Sequence, residues 1–209
     1  MGQAAISCRV LVFAKAPTPG QVKTRLIPAL GEDAAAELHR KLVGRTLRTA
    51  QAAVVGPVEL WCAPDAHDEF LSECAGRFGA GLREQGEGDL GARMARALEA
   101  ALAEGTPALL IGCDCPALTP DYLREAAAAL TGGYDAVIGP AEDGGYVLIG
   151  FARSLPSLLF EDMAWGAPTV MRETRARLAK LGCRCCELAT LWDVDRPADL
   201  LRLAQAGAE

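Results

Sequence analysis

No segment of the 209-residue chain approaches the roughly 18–20 consecutive apolar residues of a membrane span, so no membrane partner is expected. Histidine is scarce: His39 and His67 are the only two, each beside charged neighbours, and both read as solvated residues without a role. Basic residues are outnumbered, 21 Lys and Arg against 27 Asp and Glu, for a formal charge of -6. That balance argues against a nucleic-acid partner but permits a local cationic site for a small anion. Tandem repeats, low-complexity tracts and long linkers are missing, which favours one domain over residues 1–209. The opening Met1–Ser7 lacks a basic stretch followed by a long apolar core, so no export signal is visible and a cytoplasmic location is expected. The eight cysteines do not form the paired Cys-x-x-Cys spacing of a structural zinc site and read as reduced, mostly buried thiols.

What is present alternates between strand-like and helix-like segments. Arg9–Ala14 is a short apolar run bounded by Pro17, Pro19 and Gly20, as expected of a buried first strand. The following loop, residues 15–26, gathers Lys15, Lys23 and Arg25 among turn-forming residues. It reads as an anion site, because Lys and Arg clamp phosphate oxygens and a glycine lets backbone N–H groups approach them. It is not a Walker A loop, since Gly20 is the only glycine ahead of Lys23-Thr24. Residues 31–54 suit an amphipathic helix with Leu38, Leu42, Leu47 and Ala50 inward and His39 on the charged side. Further strands are expected at 58–63, 134–139, 146–151 and 183–188, and further helices at 66–77, 90–103, 119–130, 170–181 and 198–206.

The apolar run Leu109–Gly112 stops at Cys113-Asp114-Cys115-Pro116, placing Asp114 at a strand's carboxyl end. Open α/β sheets bind ligands there, and an acid at that point can hold a metal carrying phosphates. A capping role for Asp114 is less fitting, because Thr119-Pro120-Asp121 already supplies a hydroxyl N-cap, a proline at the first helical position and an early acid. Gly86-Glu87-Gly88-Asp89-Leu90-Gly91 matches a dinucleotide fingerprint by letter only. It does not follow the first strand, and its acids would face a pyrophosphate, so it reads as a loop from which Asp89 touches a sugar or base hydroxyl. Glu142-Asp143-Gly144-Gly145 is either a hairpin turn or a rim where two glycines let a ligand approach the backbone. Trp165 is either a stacking wall or a packing residue. Asp193 and Asp195 share a face if extended; Asp195 is expected to cap the last helix, leaving a carboxylate for metal.

The order of these segments resembles the glycosyltransferase-A-like nucleotidyltransferase superfamily over nearly the whole chain. Residues 13–26, 111–116, 143–146 and 193–195 look like a bacterial family commonly labelled arsenosugar-biosynthesis glycosyltransferases. The loop with Lys23-Thr24-Arg25-Leu26 is also similar to that of 2-phospho-lactate guanylyltransferases, and the terminal acid motif to that of molybdenum-cofactor guanylyltransferases. The resemblance implies a three-layer, Rossmann-like α/β fold with a mixed, mostly parallel sheet, and a transferase acting on a nucleotide sugar or nucleoside triphosphate and a small-molecule acceptor. It implies that Lys15, Pro19, Gly20, Lys23, Arg25, Asp89, Gly144 and Gly145 bind the nucleotide. Asp114, with Asp193 or Asp195, would hold Mg2+ or Mn2+, and Asp114, Lys23, Arg25 and Asp143 would serve catalysis. Prolines replace much of the glycine-rich opening loop of the molybdenum-cofactor enzymes, so their base preference does not transfer.

Overall fold

A computed structural model describes residues 7–156 and 158–206; the opening Met1–Ile6, part of the segment read for export, lies outside them. In chain order the elements are β1 (Arg9–Lys15), a 3-10 turn (Thr24–Leu26) running into α1 (Ile27–Leu30), α2 (Glu32–Ala53), β2 (Val58–Ala63), α3 (Glu69–Phe78), β3 (Gly81–Glu84), α4 (Leu90–Ala103) and β4 (Ala108–Gly112). There follow α5 (Pro120–Thr131), β5 (Ala136–Pro140), β6 (Tyr146–Phe151), α6 (Val170–Lys180), β7 (Cys185–Glu187) and α7 (Pro197–Ala206).

The seven strands form one sheet in the order β3-β2-β1-β4-β6-β5-β7. All pairings are parallel except those of β6, which runs against both β4 and β5. Alternation along β1 shows why the sheet is covered on both faces. Val10, Val12 and Ala14 pack with Val43 and Leu47 of α2 and Leu123 and Ala126 of α5. Leu11 and Phe13 face the other way, onto Met94 and Leu98 of α4 and Met171 and Leu178 of α6. The result is three layers, with α2 and α5 on one side and α4 and α6 on the other. From β1 the chain crosses to β2, whereas β4 lies on β1's opposite flank. The carboxyl ends of β1 and β4 therefore meet at a topological switch point, where such sheets open a crevice.

Helix starts follow the capping logic of the sequence. Thr119 Oγ1 accepts a hydrogen bond from the Tyr122 N–H at 3.2 Å, so Asp114 has no capping duty. Asp68 Oδ1 accepts from the Leu71 N–H at 3.0 Å, which starts α3 at Glu69 rather than 66. All eight cysteines are free.

Three expectations are corrected. Strand β3 was not anticipated, because its four residues, Gly-Leu-Arg-Glu, are a mostly exposed edge without an apolar run. His39 is buried, not solvated: Leu38 and Leu42 pack towards Leu26 and Trp192, while His39 lies on the inward stripe with Val43, Thr46 and Ala50, so α2 buries a wider arc than one row. Asp195 does not present its carboxylate to α7. Asp199 takes that part, its Oδ2 accepting from the backbone N–H groups of Asp195 at 3.0 Å and Arg196 at 2.6 Å.

Candidate active site

Above the carboxyl ends of β1 and β4 lies a cavity of about 530 Å³. Its basic wall is the loop after β1, anchored by the buried side chains of Val22 and Leu26. Between those anchors Lys23 takes a left-handed conformation, φ 49°, uncommon for a residue with a side chain. The Lys23 side chain is only 4% exposed, with Nζ 2.6 Å from Asp114 Oδ1. The same ammonium donates to the Val194 carbonyl at 2.5 Å. Arg25 is ion-paired with Asp195. Lys15, exposed at the end of β1, also lines the cavity.

The acidic wall comes from two distant parts of the chain. The backbone N–H of Val194 donates to the Asp114 carbonyl at 2.8 Å, stitching residues 192–195 alongside the turn after β4. Trp192 and Val194 are buried with Leu26 and Leu42, which turns Asp193 and Asp195 towards the cavity. Burial pushes the Asp193 carboxyl up to about 6, and the negative charges of Asp143, Asp114 and Asp195 push in the same direction. The cavity is thus lined by four carboxylates, Asp114, Asp143, Asp193 and Asp195, and four cations, Lys15, Lys23, Arg25 and Arg93.

The hairpin joining β5 and β6 closes one end. Asp143 Oδ1 accepts from the Gly145 N–H at 2.8 Å, so the segment is a turn, and of the rim expected there only Asp143 and Gly145 reach the cavity. Trp165 lines the same end and packs edge-on against Phe160, ring centroids 5.8 Å apart. Behind Trp165 lies Gly91, where a Cβ would fall 2.8 Å from the indole. His39 sits beneath the basic loop, its Nε2 3.0 Å from the Lys15 carbonyl, so Nε2 carries the proton and Nδ1 has no protein partner among the described residues. Desolvation lowers its basicity despite the opposing pull of Asp114.

Lys15, Lys23, Arg25, Asp114, Asp143, Gly145, Asp193 and Asp195 all reach the cavity. Pro19, Gly20, Asp89 and Gly144 do not line it. Pro19 is exposed, and Gly20, at φ 78°, turns the loop beside Glu32. Asp89 caps α4, accepting from the Ala92 N–H at 2.8 Å. Gly144 serves packing: at φ 91°, a Cβ there would lie 2.3 Å from the Pro168 carbonyl oxygen. Glu142 points away, into a bidentate ion pair with Arg202. The sequence reading missed His39, Gln85 and Arg93, all lining the cavity. Only a tertiary contact reveals them, since each sits in a segment whose local pattern reads as ordinary helix or loop.

Among the described residues no three His, Cys, Asp or Glu side chains form a ready metal cage. The donors present still suit Mg2+ or Mn2+, hard cations commonly held by one or two protein carboxylates, with substrate phosphates and water completing the shell. Asp114 and Asp193 or Asp195 fit that pattern.

The residues 46–167 match the model of a family described as uncharacterized proteins conserved in bacteria (DUF2064). The chain belongs to this family. A candidate nucleotide-diphospho-sugar transferase from Desulfovibrio desulfuricans G20 is 32% identical, with a TM-score of 0.85 over 96% of this chain and 87% of that one. The fold is also shared, at 11% identity and TM-score 0.64, with 4-diphosphocytidyl-2C-methyl-D-erythritol synthase from Anaerococcus prevotii DSM 20548, over 99% of this chain and 100% of that one. Glucosyl-3-phosphoglycerate synthase from Mycobacterium tuberculosis, solved with Mn2+ and UDP, matches at 12% identity and TM-score 0.54, over 94% and 75% of the two chains. No curated protein matches the sequence significantly. The family member's fold is thus that of the nucleotide-diphospho-sugar transferases, as the sequence implied.

Proposed function

We propose that the protein is a metal-dependent transferase that moves a glycosyl group from a nucleotide sugar to a small-molecule acceptor. The observation that carries this reading is the paired charge of the cavity, with Lys23 against Asp114 and Arg25 against Asp195 at the switch point of the sheet. A diphosphate and a divalent cation together would satisfy both sets: phosphate oxygens take the cations, and the metal takes the carboxylates. Transferases among the similar structures support it, one of them solved with Mn2+ and UDP.

In this reading Lys15, Lys23 and Arg25 bind the diphosphate and stabilise the charge it gains on leaving. Asp114 with Asp193 or Asp195 would hold Mg2+ or Mn2+, which when bound supplies Lewis-acid neutralisation of the phosphates. Trp165 offers an apolar wall for a sugar ring, and Asp143 beside it accepts the proton of the acceptor hydroxyl. The acceptor oxygen bonds to the anomeric carbon as the bond to the diphosphate breaks.

The test is product analysis. Purified protein is incubated with nucleotide sugars, Mn2+ and a panel of small hydroxylated acceptors. Release of nucleoside diphosphate, lost in Asp114→Ala, supports glycosyl transfer. Pyrophosphate released from a nucleoside triphosphate would instead identify a nucleotidyltransferase. Tight nucleotide binding without turnover under every acceptor would identify a noncatalytic nucleotide-binding subunit.

A further inference from the structure

Gln85 is a buried polar residue that the proposed chemistry does not use, only 3% exposed at the end of β3. Its side-chain Nε2 donates to two main-chain carbonyls, Ala14 at 3.2 Å and Trp61 at 2.9 Å, which ties the amide across the ends of β1 and β2. Two carbonyls facing one end of an amide fix its orientation, because the flipped form would set oxygen against oxygen. The backbone is held as firmly. The Gln85 N–H donates to the Cys62 carbonyl at 2.9 Å, and its own carbonyl accepts from Arg96 Nη1 at 2.5 Å. Every group of Gln85 is committed, and Oε1 is left to accept from Arg93 Nη1 at 3.0 Å.

Arg93 is therefore aimed. Its Nε donates weakly to the Asp89 carbonyl at 3.3 Å, and its guanidinium forms no ion pair among the described residues. Nη2 has no protein acceptor among the described residues, and the side chain lines the cavity beside the partly exposed Leu90. The other cations lie at the end of β1 and in the loop after it; Arg93 stands apart on the first turns of α4, next to Leu90. A planar donor held at fixed angle beside an aliphatic wall suits a flat ring carrying carbonyl acceptors.

We infer that Arg93, positioned by Gln85, reads the nucleotide base and selects one that offers ring carbonyl oxygens, such as guanine or uracil, over adenine. Adenine has no carbonyl oxygen, and its N7 and N1 acceptors flank an exocyclic amino donor, so a guanidinium that can only donate finds one acceptor there where guanine offers the adjacent pair O6 and N7. The inference rests on the proposed reading of the cavity as a nucleotide site. It adds the recognition element that the sequence's proline-rich loop left open.

Isothermal titration of the wild type, Arg93→Ala and Gln85→Met with GDP, UDP, ADP and inorganic pyrophosphate, all with Mn2+, tests it. The wild type should bind GDP or UDP at least about tenfold more tightly than ADP. Arg93→Ala should erase that preference while leaving pyrophosphate affinity within about twofold. Gln85→Met should weaken the preferred nucleotide, yet add less than about twofold in the Arg93→Ala background, as expected of a residue acting through Arg93. Equal affinity of the wild type for all three nucleotides, or an equal loss of pyrophosphate and nucleotides in Arg93→Ala, would overturn the assignment, the latter by showing that Arg93 holds phosphate. A uniform loss of all three nucleotides in Gln85→Met, persisting in the double variant, would refute the positioning role. If the wild type binds no nucleotide at all, the reading of the cavity itself fails, an outcome distinct from these.

Discussion

Lys23 Nζ lies 2.6 Å from Asp114 Oδ1, so the cation expected to hold phosphate and the acid expected to hold metal neutralise each other across the cavity. On the proposed reading, each ligand would free a partner that the other then uses. A nucleoside diphosphate drawing Lys23 off Asp114 leaves the carboxylate for a metal, and a metal on Asp114 releases Lys23.

Binding of nucleoside diphosphate and Mn2+ is therefore expected to be cooperative and reciprocal, each raising the other's affinity by the same factor. Titrations of each ligand with and without the other measure it. Lys23→Met should weaken the nucleotide by roughly ten- to a hundredfold, the scale of a lost charge-assisted hydrogen bond. The same variant should bind Mn2+ alone no worse than wild type, because Asp114 loses its competitor. A Lys23→Met protein with normal nucleotide affinity would remove this residue from the phosphate site.

Asp193 gives the metal-free protein a pH dependence. Its folded-state pKa, pushed up to about 6 from an ordinary 3.8, means that the folded form binds the proton more tightly than the unfolded form. This group's contribution is then most favourable at low pH and becomes a penalty as pH rises from about 4 through 6. At neutral pH the unscreened penalty for such a rise is about 3 kcal/mol, and solvent screening at this part-exposed carboxylate reduces it. Asp193→Asn should flatten this part of the stability curve, and its denaturant midpoint at pH 7.5 should exceed that of the wild type. With Asp193 as the second metal ligand, Mn2+ affinity should climb through the same window, since metal and proton compete for the carboxylate; with Asp195 in that place it should not.

Gly144→Ala should be strongly destabilising, by about 3 kcal/mol or more, because it combines a left-handed backbone with a clash against the Pro168 main chain. Urea unfolding gives the value. A loss under about 1 kcal/mol would mean that the 141–145 turn and the start of α6 can separate.

Thr119→Ala removes only the cap of α5 and should cost about 1 kcal/mol while leaving nucleotide affinity unchanged. It serves as a stability control for the site variants.

Much of this architecture was legible because strand and helix periodicities are strong in this chain. The β1 and β4 runs, the Thr119 cap and α4 from Leu90 to Ala103 stand where the sequence put them. Lys23, Asp114, Asp193 and Asp195 also line one cavity: Asp114 follows from a strand end, Lys23 from a basic loop and the Asp193/Asp195 pair from a period of two, while their convergence was implied only by the family resemblance. What escaped were contacts set by the third dimension. His39 reads as polar on a single apolar row, yet α2 is clamped between the sheet and the Trp192 segment and buries two rows. Gln85 and Arg93 carry no local signal, since their pairing depends on β3 joining the sheet edge and α4 folding back over it. Gly144 looks like ligand-facing glycine from its doublet with Gly145, whereas Pro168 fills the space.

Gly91 has an outcome of its own. Because the Trp165 indole and the Phe160 carbonyl oxygen rest where a side chain at position 91 would begin, the Trp165 end of the cavity depends on an atom that is not there. A methyl group added on α4 would meet the Phe160 main chain and the tryptophan together, so one of them would have to give way. The shape of the Trp165 end is thus set in part by a glycine at a helix start, without any of the charged side chains that line the cavity.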